Sequence, residues 1–156
     1  MAHREFHSDI KAVSHLDAAA YTSTQIPSNG VDLQGFDAAE FVISIGTVSN
    51  LGGSPLESWT FKLQESDDES SNFTDVTDSD SVVVDSAASP VTTPDSSSGV
   101  FLTVDAAAED DAVYRIGYVG GKRYARCVAT ANNTPGSTPI AIHARLGCAA
   151  QKPVQD

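Results

Sequence analysis

The sequence predicts an all-β fold: an antiparallel β-sandwich, jelly-roll or immunoglobulin-like, of about seven to nine short strands with an extended N-terminal arm. Three observations carry that prediction. Apolar and polar residues alternate with a period of two in several stretches, while helical periodicity is nearly absent. Clusters of Gly, Pro, Asn, Asp and Ser punctuate those stretches. The chain's 156 residues suffice for one domain, and 40% hydrophobic with 19% charged residues matches neither a disordered tail nor a charge-laced bundle.

In chain order, residues 1–30 lack a dense apolar pattern and read as an extended arm, with one edge strand available within 10–24. Such an arm either frays or lies on a neighbouring subunit. The sandwich domain is expected over 31–148, opening with a short strand at 31–33. In Phe41-Val-Ile-Ser-Ile-Gly-Thr-Val48, Phe41, Ile43 and Ile45 share a face. Ser58-Trp-Thr-Phe-Lys-Leu-Gln64 is the cleanest case, with Trp59, Phe61 and Leu63 inward and Thr60, Lys62 and Gln64 outward. Further strands are expected at 77–84, 99–104, 112–119, 122–131 and 140–148. Between 86 and 98 the Ser/Pro/Thr/Ala composition predicts a mobile surface loop. The alanine runs at 17–20 and 105–108 hint at a helical turn each. Residues 149–156 read as a tail.

Val119-Gly-Gly-Lys122 has the form of a two-residue turn with positive φ at both glycines, closing a tight hairpin. That pairing sets Tyr118 opposite Arg123, Ile116 opposite Ala125 and Tyr114 opposite Cys127, on an inward face. Arg115 and Arg126 then oppose each other outside, a like-charge pair that needs an acidic partner above it. Arg115, Lys122, Tyr124, Arg126 and Arg145 are accordingly the candidate partner-binding residues, and they imply one cationic plate.

Charge is unevenly distributed. Nine Lys and Arg face 21 Asp and Glu, for a formal charge of −12. Residues 1–111 hold 20 acids against three bases, whereas residues 112–155 hold six bases and no acid. A chain this acidic is expected to be repelled by nucleic acid, and a two-signed one can dock by one face. No apolar run reaches the ~20 residues of a membrane-spanning helix, so no membrane partner is expected. The start lacks a basic-then-apolar plan, so cytoplasmic synthesis is expected. Under the same hairpin logic Cys127 faces Ile142 and lies too far from Cys148 to bridge it, so free thiols are expected. His3, His7, His15 and His143 form no zinc spacing, and no phosphate loop or nucleophile elbow is present. Asp67, Asp68, Glu69, Asp75, Asp78 and Asp80 lack the EF-hand order and read as a solvated acidic surface. No cofactor, no metal and no enzymatic activity are expected.

The combination of a polar arm ending in Tyr21-Thr-Ser-Thr, then Gly30-Val-Asp-Leu-Gln-Gly-Phe-Asp37, Trp59-Thr-Phe-Lys-Leu-Gln-Glu-Ser-Asp-Asp68, Phe73-Thr-Asp-Val76 and Val113-Tyr-Arg-Ile-Gly-Tyr-Val-Gly-Gly-Lys-Arg-Tyr124 resembles small proteins encoded in the structural modules of tailed bacteriophages and prophages. The likeness spans about residues 10 to 148. It implies a virion structural protein, in the preferred version a capsid decoration (cement) protein on the outer surface of the expanded head. Its partner would be the major capsid protein, contacted as a homo-oligomer, a trimer at threefold positions. A head–tail completion or tail-associated role, and a carbohydrate- or receptor-binding sandwich, are the alternatives. No functional residues come with the resemblance.

Overall fold

A computed structural model describes residues 7–53, 55–85 and 90–150. The expectations for 1–6, for the part of the loop at 86–89 and for the end of the tail at 151–156 lie outside the described residues. The elements are β1 (Lys11–Tyr21), β2 (Val31–Asp32), β3 (Phe36–Ile45), β4 (Ser58–Ser66), β5 (Thr74–Asp75), β6 (Val82–Val83), β7 (Val100–Val104), β8 (Ala112–Tyr118), β9 (Tyr124–Asn132) and β10 (Thr138–Ala149). Two single-turn 3₁₀ segments, His7–Asp9 and Ser79–Ser81, are the only helical pieces among the described residues.

The strands form two antiparallel sheets. Sheet A has the order β1-β10-β3-β8-β6; sheet B has β2-β9-β4-β5, with β7 also paired to β4. Leaving aside the two-residue β5 and β6, the chain changes sheet at every connection except β4 to β7. Four strands, β1-β10-β3-β8, thus face β2-β9-β4-β7, which is the jelly-roll plan of paired Greek keys.

Alternation explains the core. Phe41, Ile43 and Ile45 of β3, Trp59, Phe61 and Leu63 of β4, Tyr114, Ile116 and Tyr118 of β8, and Ile140, Ile142, Ala144 and Leu146 of β10 are all buried between the sheets. Trp59 donates its indole N–H to Thr138 Oγ1 at 2.9 Å, so the one polar atom of this fully buried side chain is satisfied.

Four expectations need correction. First, β8 and β9 are not a hairpin: β8 pairs with β3 and β6, and β9 with β4 and β2. The Gly120-Gly121 link crosses from one sheet to the other, and neither glycine has positive φ. Gly120 is needed for room instead, because a Cβ there would lie 2.4 Å from the Tyr118 hydroxyl. That hydroxyl pins the crossing by accepting from Lys122 N (3.2 Å) and donating to Glu65 Oε2 (2.6 Å). Second, β9 to β10 is also a crossing, so Cys127 does not face Ile142. Both cysteines are free, Cys127 buried and Cys148 exposed. Third, the sandwich starts at Lys11 rather than at residue 31, because β1 pairs with β10 from Lys11↔Leu146 to Tyr21↔Thr138. The alanine run 17–20 belongs to that strand, while 105–108 makes only a turn, with Glu109 N donating to Ala106 O. Fourth, only Val82–Val83 of the 77–84 stretch is strand, since Asp78 accepts from Asp80 N and turns the chain into a 3₁₀ segment.

Residues 22–30 form a strap along the free edge of β9, where Pro27 cannot donate to a ladder. The N–H groups of β9 on that side are met one by one. Ala125 is opposite Val31, Ala129 N donates to Gln25 O (3.1 Å), and Ala131 N donates to Thr24 Oγ1 (3.1 Å). Cys127 N, left over where the strap bows away, donates to Nε2 of His15 from β1 at 3.0 Å.

Candidate functional site: the outer face of sheet A

Because Phe41, Ile43 and Ile45 point inward, Glu40, Val42 and Ser44 of β3 point outward. The same parity sends Val113 and Arg115 of β8, and Ala141, His143 and Arg145 of β10, to that outer face. The register places Arg145 opposite Glu40, His143 opposite Val42, and Ser44 between Ala141 and Val113. Mostly small side chains therefore cover four adjacent strands. Ala18, Ala20, Ser44, Val113, Pro139 and Ala141 line a shallow trough of about 590 Å³, and Val113 is 63% exposed.

Both arginines on this face are matched by carboxylates. Arg145 forms an ion pair with Glu40 Oε2; Arg115 reaches Glu40 Oε1 at 3.2 Å and Asp85 Oδ2 at 3.9 Å. One carboxylate thus sits between two guanidiniums from neighbouring strands. Nε of Arg145 is buried without a hydrogen-bond partner. Asp111 also lines the trough, where its carboxylate accepts from the Thr47 hydroxyl at 3.1 and 3.0 Å.

The other three candidate residues stand elsewhere. Lys122 is at one end of the sandwich, 2.6 Å from Asp67 Oδ2, and that carboxylate raises its pKa. Tyr124, on β9, has the Arg123 guanidinium 5.0 Å from its ring centroid. Arg123 itself binds Asp32 through two hydrogen bonds, of 3.0 and 2.7 Å, which hold the Asp32 carboxyl below its usual range. Arg126 is a structural staple on the outside of sheet B. It donates to Gln64 Oε1 and to Pro27 O, both at 2.8 Å, and lies 3.9 Å above the Phe73 ring. Burial lowers its pKa, an effect that Asp75 partly offsets.

The expected cationic plate is therefore corrected. Arg115 and Arg126 lie on opposite sheets, and the five candidates divide among two outer faces and one end. The hairpin that would have joined them does not exist. Only Arg115 and Arg145 are brought together, and Glu40 does it.

Sequence reasoning passed over His15. Its imidazole packs edge-on to Phe41, with ring centroids 5.4 Å apart, and accepts from the Cys127 amide. Burial, chiefly, lowers its pKa from 6.5 to about 4, and the Arg126 charge adds to the shift. The signal lay in Val13-Ser-His15, whose alternation aims His15 at the same side as Val13.

The acidic loops are committed to their own turns. Asp95 accepts from the amides and hydroxyls of both Ser97 and Ser98, which holds its carboxyl far below the usual range. Asp68 accepts from Asn72 at 2.6 Å. Among the described residues, no group of three or more His, Cys, Asp or Glu could hold a metal ion.

Fold and surface together define a jelly-roll sandwich with one broad, small-residue sheet face whose two arginines are ion-paired. Searches against protein-family models, curated proteins and solved structures find no match to the chain.

Proposed function

We propose that this protein is a non-enzymatic virion structural component, a capsid decoration (cement) protein that binds major capsid protein on the outer surface of the expanded phage head. The observation that carries the reading is the outer face of sheet A. Docking two surfaces costs least where charges need not be desolvated unpaired, and on this face both arginines are ion-paired to carboxylates while small side chains cover the rest of the trough up to Asp111 at its end. Small side chains on a continuous sheet let a partner approach closely over a broad area. The jelly roll is an architecture that viral capsid domains use, and the likeness to phage structural proteins points the same way.

In this reading, Arg115 and Arg145 lay their aliphatic stems over the sheet and share Glu40 at one edge of the contact. Lys122, Tyr124 and Arg126 take no part in it. Three copies gather at threefold positions of the shell. The acidic loops keep the outer side solvated and discourage non-specific association. Stabilisation follows mass action: a protein that binds the expanded shell and not its open form shifts the balance toward the shell.

The test adds purified protein to expanded, undecorated heads and measures bound copies and heat resistance. Hundreds of copies and a raised disruption temperature are expected. Ala141→Glu, which places an unpaired charge in the middle of the face, should abolish binding while the free protein melts as before. Absence of binding by the wild type, or full binding by the variant, would sink the proposal.

A further inference from the structure

β1 differs from the other long strands in how it is held. None of its eleven residues is buried. Its ladder to β10 is interrupted twice, between Ser14 and Leu16 and between Leu16 and Ala19. Val13, Leu16 and Tyr21 are only partly buried against the core. One side chain reaches farther: His15, at the first irregularity, crosses the side of the sandwich to the Cys127 amide of sheet B. A strand held mainly by its backbone ladder belongs to the low-stability end of a fold.

The geometry points to β1 as an exchangeable strand, latched to its own sandwich by neutral His15 and able, once acid opens the latch, to pair with β10 of a second copy of this chain.

The latch requires an imidazole lone pair. The amide of Cys127 can only donate, and a doubly protonated ring has no acceptor to offer it. The surroundings do not favour a cation there. From β9, Arg126 adds a positive charge and the buried Cys127 thiol stays neutral. From β3 comes the Phe41 ring. The strap residues 22–30 contain no ionisable side chain. On β10 the titratable neighbour, His143, faces outward, and on β1 itself Asp17 accepts from Ser14 while Lys11 lies at the strand's start. Acidification therefore leaves the Cys127 amide without its acceptor and puts a second cation beside Arg126.

The occupant of the vacated edge follows from complementarity. β10 is a twelve-residue strand whose inner edges are matched to β3 and β1. Another copy's β1 restores every pair, including its own latch, which is the condition for domain swapping. The hinge would be Thr22–Ser23, because Thr24 and Gln25 remain bonded to β9.

The test uses two populations of the full chain, both carrying Cys148→Ser. One carries Ser14→Cys and the other His143→Cys, which are directly opposed in the β1–β10 register. Neither can form this link within itself. After mixing near pH 4, where His15 titrates, and return to neutral pH with an oxidant, a disulfide-linked heterodimer is expected. Mixing at neutral pH throughout should give little. In the unmodified protein, protection of the β10 amides that face β1, corrected for intrinsic exchange, should fall about tenfold per pH unit across the titration, as one-proton coupling requires, while the β10–β3 and β4–β9 ladders hold. His15→Gln, whose carbonyl can accept from Cys127 without titrating, should abolish both pH effects. Equal heterodimer at both pH values, β10 protection indifferent to pH, or an unchanged acid response in His15→Gln would overturn the inference.

Discussion

β1 and β4 are both long strands of the same sandwich, yet they are stabilised by different physics. β4 lies inside sheet B, paired on one side with β9 and on the other with β5 and β7, and buries Trp59, Phe61 and Leu63 completely. β1 is an edge with no buried residue, whose deepest contact is an imidazole accepting one amide proton. In β4 the hydrophobic effect holds the strand, and its contribution hardly varies between pH 4 and 8. In β1 a backbone ladder is supplemented by a buried, titratable imidazole, so part of its stability is conditional. The core fixes the scaffold, and the edge is where conditions can act.

The largest effect is expected from β4. Trp59→Ala removes the largest buried side chain and leaves Thr138 Oγ1 without its donor, at a cost of about 3–5 kcal/mol. Chemical denaturation should show a large drop in midpoint, and a loss below 1 kcal/mol would contradict the core assignment. His15 comes next. Its native pKa of about 4 lies below the unfolded 6.5, so the unfolded chain binds a proton that the native state refuses. The contribution is complete above pH 6.5 and is lost as pH falls to about 4, with a full size of about 3 kcal/mol. Acid also protonates carboxylates, so the measurement is the pH-dependent difference in stability between wild type and His15→Gln. A flat difference would place no weight on the latch. A smaller cost, about 1–3 kcal/mol, is expected for Gly120→Ala, whose Cβ would collide with the Tyr118 hydroxyl. A thermal melt reads it, and an unchanged melting temperature would mean the sheet crossing tolerates the side chain.

The same contrast separates what could be read in the sequence from what could not. Period-two alternation tells which residues face inward whatever strand lies alongside, so the inward placement of Tyr114, Ile116, Tyr118, Ala125 and Cys127 follows even though the hairpin behind it does not form; Arg123, expected on that face, precedes the strand and is exposed, paired with Asp32. Pairing is a different kind of information. Gly120-Gly121 can close a hairpin or cross between sheets, and the choice goes with pairings to distant strands, β8 with β3 and β9 with β4, and with a contact between Tyr118 and Glu65, 53 residues apart in the chain. The cationic plate was an inference from pairing and changed with it: Arg126 became a staple for the strap, while Arg115 and Arg145 met over Glu40, which lies more than seventy residues before either. His15 was passed over because a lone histidine near an alanine run carries no pattern beyond the parity of Val13.

The smallest expected effect sharpens the comparison on the outer face. Glu40 serves two guanidiniums, yet Arg115 is 54% and Arg145 40% exposed in their side chains, so water screens both pairs. Exposed pairs of this kind contribute about 0–1 kcal/mol, and Glu40→Gln should therefore change the midpoint of unfolding little. Its effect on docking should be larger. Without the carboxylate, Arg145 loses its ion pair, Arg115 keeps only Asp85, and the two arginines on the strands flanking β3 repel each other, so that a partner must desolvate a less fully paired cation to approach the face. Weaker binding to expanded heads at low salt, recovering as salt is raised, is the expected signature. A loss of stability above about 2 kcal/mol would instead make Glu40 a structural residue comparable to those of β4, and the separation between a rigid interior and an adjustable surface would fail at that position.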